Sequence, residues 1–502
     1  MVAAVLGSAI VFLDSTVVNV ALKRIGDELP ANVIGVLEGQ TYVNSGYLAV
    51  LAALLILGGE LSDRYGRHRI LSIGLVAFGL TSALCGLAPS LEALVVFRLL
   101  QGAAAALLVP GSLALLTSTF GGPARARAFG VWASATSAAV ILGPLLGGFV
   151  VDDLSWRLAF LINLPLVVVA LVGLRRGVPE VTTTIVRQPL DWLGSLTVVI
   201  AVGGLAFGLI RGQQRAWADS LAWVALGLGA VAAIAFPVLM ARRRDPLVPL
   251  GLFRDRGFAV INLSTFLIYG ALYVVLGYQG LFLQGTLGYS AIGAALVGLP
   301  SGLLLMVLST RVGTLAGRLG PRRFLLAGPL VMAGAFLWLA RIPANSAPWT
   351  LNLGQPGSFL PPPSTLIDVL PTMVAFGIGI SLVVAPLTST LMSSIPADRA
   401  GLGSAINNAI SRLGQPLFGA LIFIAISASF YGGLAERVPG LRANDAQLRA
   451  VVAPLNAVPP ATSPALTLAA REASTAAFRL ALLAAAGLLV AGSVVNGVGL
   501  RE

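Results

Sequence analysis

Charge is what this sequence has least of. Asp, Glu, Lys and Arg make up 10% of its 502 residues, while 57% are hydrophobic and the mean hydropathy is +0.92. Soluble globular chains carry roughly 25% charged residues. A chain this poor in charge cannot coat a surface in water, so its solvent must be lipid. It is read as an integral membrane protein. Histidine and cysteine occur once each, as His68 and Cys85. A lone thiol excludes a disulfide or a cysteine metal site. A lone imidazole excludes His-pair metal sites and argues against a His-dependent triad. Nothing in the chain fits G-x-x-x-x-G-K-[ST]. ATP is therefore not the expected energy source, no cofactor is expected, and an ion gradient, of protons, is the remaining drive.

Acids are fewer than bases, 20 against 32, for a net charge of +12. In a soluble protein that balance would suggest nucleic acid. Here the bases are almost all Arg, with Lys23 the single Lys, and they lie at the ends of apolar runs. This pattern is positive-inside anchoring, and the expected partner is the lipid bilayer rather than nucleic acid.

A span needs about 20 mostly apolar residues, and hydrocarbon admits no open strand edge, so each should be a helix. About fourteen such runs follow one another, from 2–22 to 476–497. With both termini in the cytoplasm, the inner loops hold most of the Arg residues and the outer loops about half as many, which fixes the expected orientation. Two outer loops are long, at about 341–365 and 430–475, and both read as exposed. The first run contains Asp14 and is as long as a full span, so it does not read as a cleavable signal peptide. The chain begins inside that run without a basic tail, which leaves room for a start codon upstream.

The stretch "GGELSDRYGRHRIL" (58–71) sets Glu60, Asp63, Arg64, Arg67, His68 and Arg69 between two membrane-length runs. It reads as a cytoplasmic hairpin that latches helices. Gly59 would permit close approach and Gly66 the turn, while Asp63 would cap a facing helix and pair with an Arg. The stretch has a second copy, "GTLAGRLGPRRFL" (313–325). Gly59, Leu61, Arg64 and Gly66 meet Gly313, Leu315, Arg318 and Gly320 at one constant spacing. Asp63, however, meets Gly317, so the carboxylate belongs to one copy alone. Two related halves are the mark of a secondary transporter. The expected organisation is a six-helix half over 1–175, two inserted spans over 176–257, and a second six-helix half over 258–502.

Asp14 falls mid-span, where a carboxylate costs about 2.5 to 3.5 kcal/mol on insertion scales. It can reduce that cost by binding a proton or a cation, or by pairing with an Arg or with the hydroxyls of Ser15 and Thr16. Arg98 and Arg412 are the deep basic residues, and Arg412 is assigned a packing or polar-network role. "GPLLGG" sets Gly143, Gly147 and Gly148 on faces suited to close helix contact, with Pro144 able to kink the helix.

Many of these segments resemble one family. "GGELSDRYGR" resembles the loop between helices 2 and 3 of the major facilitator superfamily. "FLDSTVVNVAL" (12–22) is similar to the helix 1 motif of its 14-span drug:proton antiporters. "RLLQGAAAALLVPGSLALL" (98–116) resembles the helix 4 motif with a membrane-buried Arg. "LGPLLGGFVVDDLSWRLAFLINLPL" (142–166) resembles the antiporter motif of helix 5 and the stretch that follows it. "LDWLGS" (190–195), "DPLVPLGLFRDRGFA" (245–259) and "AGLGSAINNAISRLG" (400–414) resemble that group at the matching places. The resemblance covers nearly the whole chain. It implies an all-α fold of two pseudo-symmetric six-helix bundles plus two extra helices.

It also implies a monomeric multidrug exporter of a bacterial cytoplasmic membrane. A small-molecule substrate would be exchanged for protons through Asp14 and Arg98. Arg64 and Arg67 would belong to the conformational latch, and Gly143, Pro144, Gly147 and Gly148 to the helix that seals one access route. An exporter of one endogenous metabolite, siderophore or lipid would use the same mechanism. A polytopic membrane enzyme would need clustered catalytic residues, and none is apparent. A passive channel or importing permease remains as the other class.

Overall fold

The computed structural model describes residues 1–120, 122–177, 191–244, 246–352, 354–395, 400–459 and 462–500. Among the described residues every regular element is a helix, with no strand, and thirteen helices are long and apolar enough to cross a membrane. The first group comprises α1 (Val2–Glu28), α2 (Val36–Tyr65), α3 (Arg67–Gly86), α4 (Leu91–Thr119) and α5 (Gly122–Asp153). It ends with the short α6 (Leu158–Leu161) and with α7 (Asn163–Gly177). Two further helices follow, α8 (Trp192–Gln214) and α9 (Ser220–Arg242). The last group comprises α10 (Arg256–Leu281), α11 (Ala291–Leu319), α12 (Pro321–Leu339), α13 (Leu370–Ser393), α14 (Ala400–Arg437), the short α15 (Ala446–Val451) and α16 (Pro464–Gly499). The 32-residue α5 completes the set of long helices.

Local chemistry starts these helices where they start. Ser90, Asp191, Asp219, Asp255, Ser290 and Ser463 each accept a backbone N–H from the first turn of the helix they precede. Such caps satisfy amides that the helix itself leaves unpaired. Gly66 and Gly320 join α2 to α3 and α11 to α12 with φ of +95° and +84°, a region that only glycine enters freely. The two copies of the charged hairpin therefore share one turn geometry.

In the first group α1 packs against α5, α7 and α4, and α2 against α4; in the last, α12 packs on α13 and α16, and α10 on α14 and α16. Helix α8 rests on both α2 and α14, so it bridges the groups. Tyr42 of α2 stacks on Phe207 at 5.6 Å between centroids and donates to its carbonyl at 3.1 Å. Helix α9 packs on α8 through Gly204, Gly208 and Gly229, and presents Trp223, Leu228, Val231 and Ile234 outward. That apolar outer face suits lipid.

Two expectations from the sequence change here. The last span begins at Pro464, well before 476, because Arg471 and Arg479 donate to the Ser346 and Ala340 carbonyls and Glu472 pairs with Arg437. With its charges partnered, this polar segment continues the helix and buries Ala469, Ala470, Ala473 and Ala477. The region 430–475 is likewise no exposed loop. Its centre turns inward, with Val452 and Leu455 buried.

Candidate functional site

Asp14 of α1 is fully buried, and so is Arg98 of α4; Arg98 Nη1 donates to Asp14 Oδ2 at 2.6 Å. The other carboxylate oxygen accepts from Gln101 Nε2 at 3.0 Å and from Asn163 Nδ2 at 2.9 Å. Gln101 lies one turn after Arg98 and also accepts from its Nη1 at 2.8 Å. Arg98 Nε donates to the Val43 carbonyl at 3.1 Å, and the guanidinium lies 3.9 Å from the ring centre of Tyr47. Ser82 of α3 accepts from both amides, at 3.3 and 3.0 Å, and donates to the Phe160 carbonyl. Three helices, α1, α4 and α7, thus meet at one carboxylate, with α2, α3 and α6 holding its partners.

Local sequence explains why these side chains reach it. Pro165, in the first turn of α7, has no N–H for the Leu161 carbonyl, and the helix is divided between α6 and α7 at this point. Asn163 emerges at that break. The hydroxyls of Ser15 and Thr16 do not serve Asp14; they donate to carbonyls of their own helix, one turn back. Arg98 is a partner of Asp14 rather than a side chain reaching the interface. Gln101 and Asn163 had a legible signal, each being a polar side chain within an apolar run. Ser82 had none, since a serine in a span commonly bonds its own helix.

The glycines of α5 sit where backbones approach. A Cβ on Gly143 would meet Thr16 of α1, and one on Gly147 would lie 3.1 Å from Val17. On Gly148 it would lie 2.6 Å from the Ile292 Cα of α11. α5 thus touches the first group through two glycines and the last group through the third, and it continues as a helix through Pro144. Four residues on, the Asp152 carboxylate accepts the N–H groups of Ala291 and Ile292 at 2.9 and 2.7 Å. An acid at a helix N-terminus is favoured by the dipole and fills orphan donors.

Further bonds join the groups at this end. Gln40 of α2 and Asn456 exchange amide hydrogen bonds, both 2.9 Å, and Gln284 donates to the Val20 carbonyl at 3.1 Å. Arg449 of α15 donates to the Gln213 and Gln214 carbonyls at the end of α8. Just inside this seal is a small cavity lined by Leu22, Gln40, Thr41, Asn44, Tyr278 and Gln415. The closed end is the one carrying the 430–475 region.

In the hairpin, Asp63 belongs to α2 but its side chain lies outside the described residues. Arg64 lies over the Tyr65 ring at 5.4 Å, and Arg67 opens α3. Gly59 differs from its sequence reading. A Cβ there would meet nothing nearer than Pro110 at 3.7 Å, so no close approach requires the glycine. The neighbouring Gly58 is the tight one, because its Cβ would collide with the Ala106 carbonyl.

The pattern that describes the Major Facilitator Superfamily matches residues 4–419. The chain belongs to the major facilitator superfamily. It is 32% identical over 445 residues to the multidrug resistance protein Stp of Mycobacterium tuberculosis, covering 88% of this chain and 78% of that one. It is 29% identical over 484 residues to the tetracenomycin C resistance and export protein of Streptomyces glaucescens, covering 95% and 84%. A bacterial homologue of the human lysosomal transporter Spinster, solved in an inward-facing and unoccupied conformation, has a TM-score of 0.62 at 17% identity. That likeness covers 100% of this chain and 97% of the other. This superfamily member is a multi-pass membrane transporter, not an enzyme, and its relatives include multidrug and antibiotic resistance proteins.

Proposed function

We propose that this transporter is a proton-coupled efflux antiporter for amphipathic or cationic drugs. It sits in a bacterial cytoplasmic membrane with both termini inside, and acts as a monomer by alternating access. The observation that carries the reading is the Asp14–Arg98 pair, a carboxylate buried where α1, α4 and α7 meet, with every bond supplied by side chains that can move with those helices. Such intramembrane acids mark proton and substrate pathways. Arg98, Gln101 and Asn163 occupy three of the roughly four acceptor positions of the Asp14 carboxylate in this state, and proton exchange is assigned to a state in which a donor has withdrawn. Asp14 is on α1 and its donors are on α4 and α7, and a shift of α1 against either would do this. Under the proposed orientation the sealed end is the outer one, which supports reading this state as the cytoplasm-facing one of the cycle. The Arg residues of the hairpin and the glycines of α5 are assigned the latch and the sliding surface. Resistance and export in the names of relatives favour the outward direction.

The test is dye accumulation in everted vesicles energised with a proton gradient, comparing wild type with Asp14→Asn at matched membrane abundance. The variant is expected to lose gradient-driven accumulation. Full proton-driven accumulation by Asp14→Asn would remove the coupling role.

A further inference from the structure

Arg412 of α14 is only 4% exposed, its Nε is buried without a hydrogen-bond partner, and among the described residues it has no ion pair. Its guanidinium faces the first group, 5.5 Å from the ring centre of Phe12 on α1, and within electrostatic reach of the Tyr47 hydroxyl. The side-chain oxygen of Gln415, one turn along α14, is buried and unpartnered, and the buried Tyr47 hydroxyl has the Ser15 hydroxyl beside it. Gln415 lines the small cavity between α2, α10 and α14. Two buried polar atoms without partners, Arg412 Nε and Gln415 Oε1, therefore lie at the seam between the groups, in reach of the Tyr47 hydroxyl.

Buried charges are ordinarily paired, and a buried orphan needs an explanation. The obvious internal counter-ion is taken, because Asp14 is bonded by Arg98, Gln101 and Asn163. The charges set deepest at this seam are one carboxylate and two guanidiniums, an excess of one positive charge. A cationic guest would add to that excess; an anionic one would cancel it.

We propose that Arg412, with Gln415 and the Tyr47 hydroxyl, is a subsite for the anionic head of the substrate. The substrates it favours are amphipathic molecules bearing a carboxylate, whose apolar body lies along the aromatic and aliphatic side chains beside Phe12. The guanidinium presents a planar fork that matches a carboxylate. The Gln415 amide, whose oxygen is the unpartnered atom, can rotate to donate its N–H beside it, and the tyrosine hydroxyl can turn its proton toward the anion. The proposal rests on the transporter reading, keeps its amphipathic substrates and replaces the cationic ones with anions. Outward passage of an anion is assisted by an interior-negative potential, at about 2.3 kcal/mol per charge per 100 mV.

The test is equilibrium binding to purified protein in nanodiscs, using decanoate and decyltrimethylammonium, which share a tail and differ in charge. Wild type is expected to bind decanoate about tenfold more tightly, the size of one charge-assisted hydrogen bond. Arg412→Gln should abolish that preference by weakening decanoate with no loss of ammonium affinity, and Arg412→Lys should retain part of it. Should Arg412→Gln fail to elute as a folded species, Gln415→Leu reads the same preference, which should fall severalfold. A wild type that prefers the ammonium, or variants that keep the full decanoate preference, would overturn the proposal. Because binding is read without a gradient, a failure of proton coupling or of export leaves this result standing, and the converse holds.

Discussion

Arg98 compensates Asp14 where water cannot. Breaking a buried ion pair from one side costs about 3–5 kcal/mol, whereas removing both partners can be nearly neutral. Arg98→Met is therefore expected to lower the unfolding temperature of the purified protein substantially. Asp14→Asn combined with Arg98→Met should recover much of the loss. Thermal unfolding followed by tryptophan fluorescence checks this, and equal stability of single and double variants would mean that the amides of Gln101 and Asn163 suffice. Lysine would not replace Arg98 well. The guanidinium divides its donors among the Asp14 carboxylate, the Gln101 amide oxygen and the Val43 carbonyl, which a point charge on a flexible stem cannot match.

At the scale of elements, small residues decide which helices touch. Gly58 of α2 and Gly102 of α4 each hold their helix against the backbone of the other, and a Cβ on Gly102 would lie 2.6 Å from the Tyr47 carbonyl. Gly58→Ala is expected to cost about 1–3 kcal/mol through overpacking. Gly59→Ala, one residue on, should be neutral or slightly stabilising, since alanine is the better helix former. Denaturation midpoints of the two variants separate them, and a larger loss for Gly59→Ala would return that glycine to the role its sequence suggested. The contrast was not legible beforehand. Helical periodicity puts two adjacent glycines on different faces without saying which face meets another backbone.

For the whole molecule, the seal at one end is built from few bonds. Asp152 holds two amides of α11, and the Gln40–Asn456 pair ties α2 to the segment after α15. Because alternating access is an equilibrium between packed states, weakening one state's contacts shifts the population. Asp152→Ala should favour opening at this end. A cysteine placed at Thr41, in the cavity behind the seal, should then be labelled severalfold faster by an impermeant maleimide added on the side of the 430–475 region; an unchanged rate would show that the seal does not rest on Asp152. The native Cys85 is buried and gives little background.

Composition and the spacing of apolar runs determined the class, the helical fold and the approximate span count, because hydrocarbon admits few backbone solutions. Glycine positions and the repeated hairpin foretold the turns at Gly66 and Gly320, where sign of φ alone restricts the residue. The tertiary structure decided what each deep polar residue meets. Asp14 and Arg98 are far apart in sequence, and nothing local states that they bond, that Gln101 and Asn163 complete the site, or that Asp152 caps a helix of the other group. It also decided that Arg412 meets no counter-ion. Pairing in a membrane protein is a property of which faces the folded helices turn to one another, and a buried charge shows its need for a partner only when all its neighbours are in place.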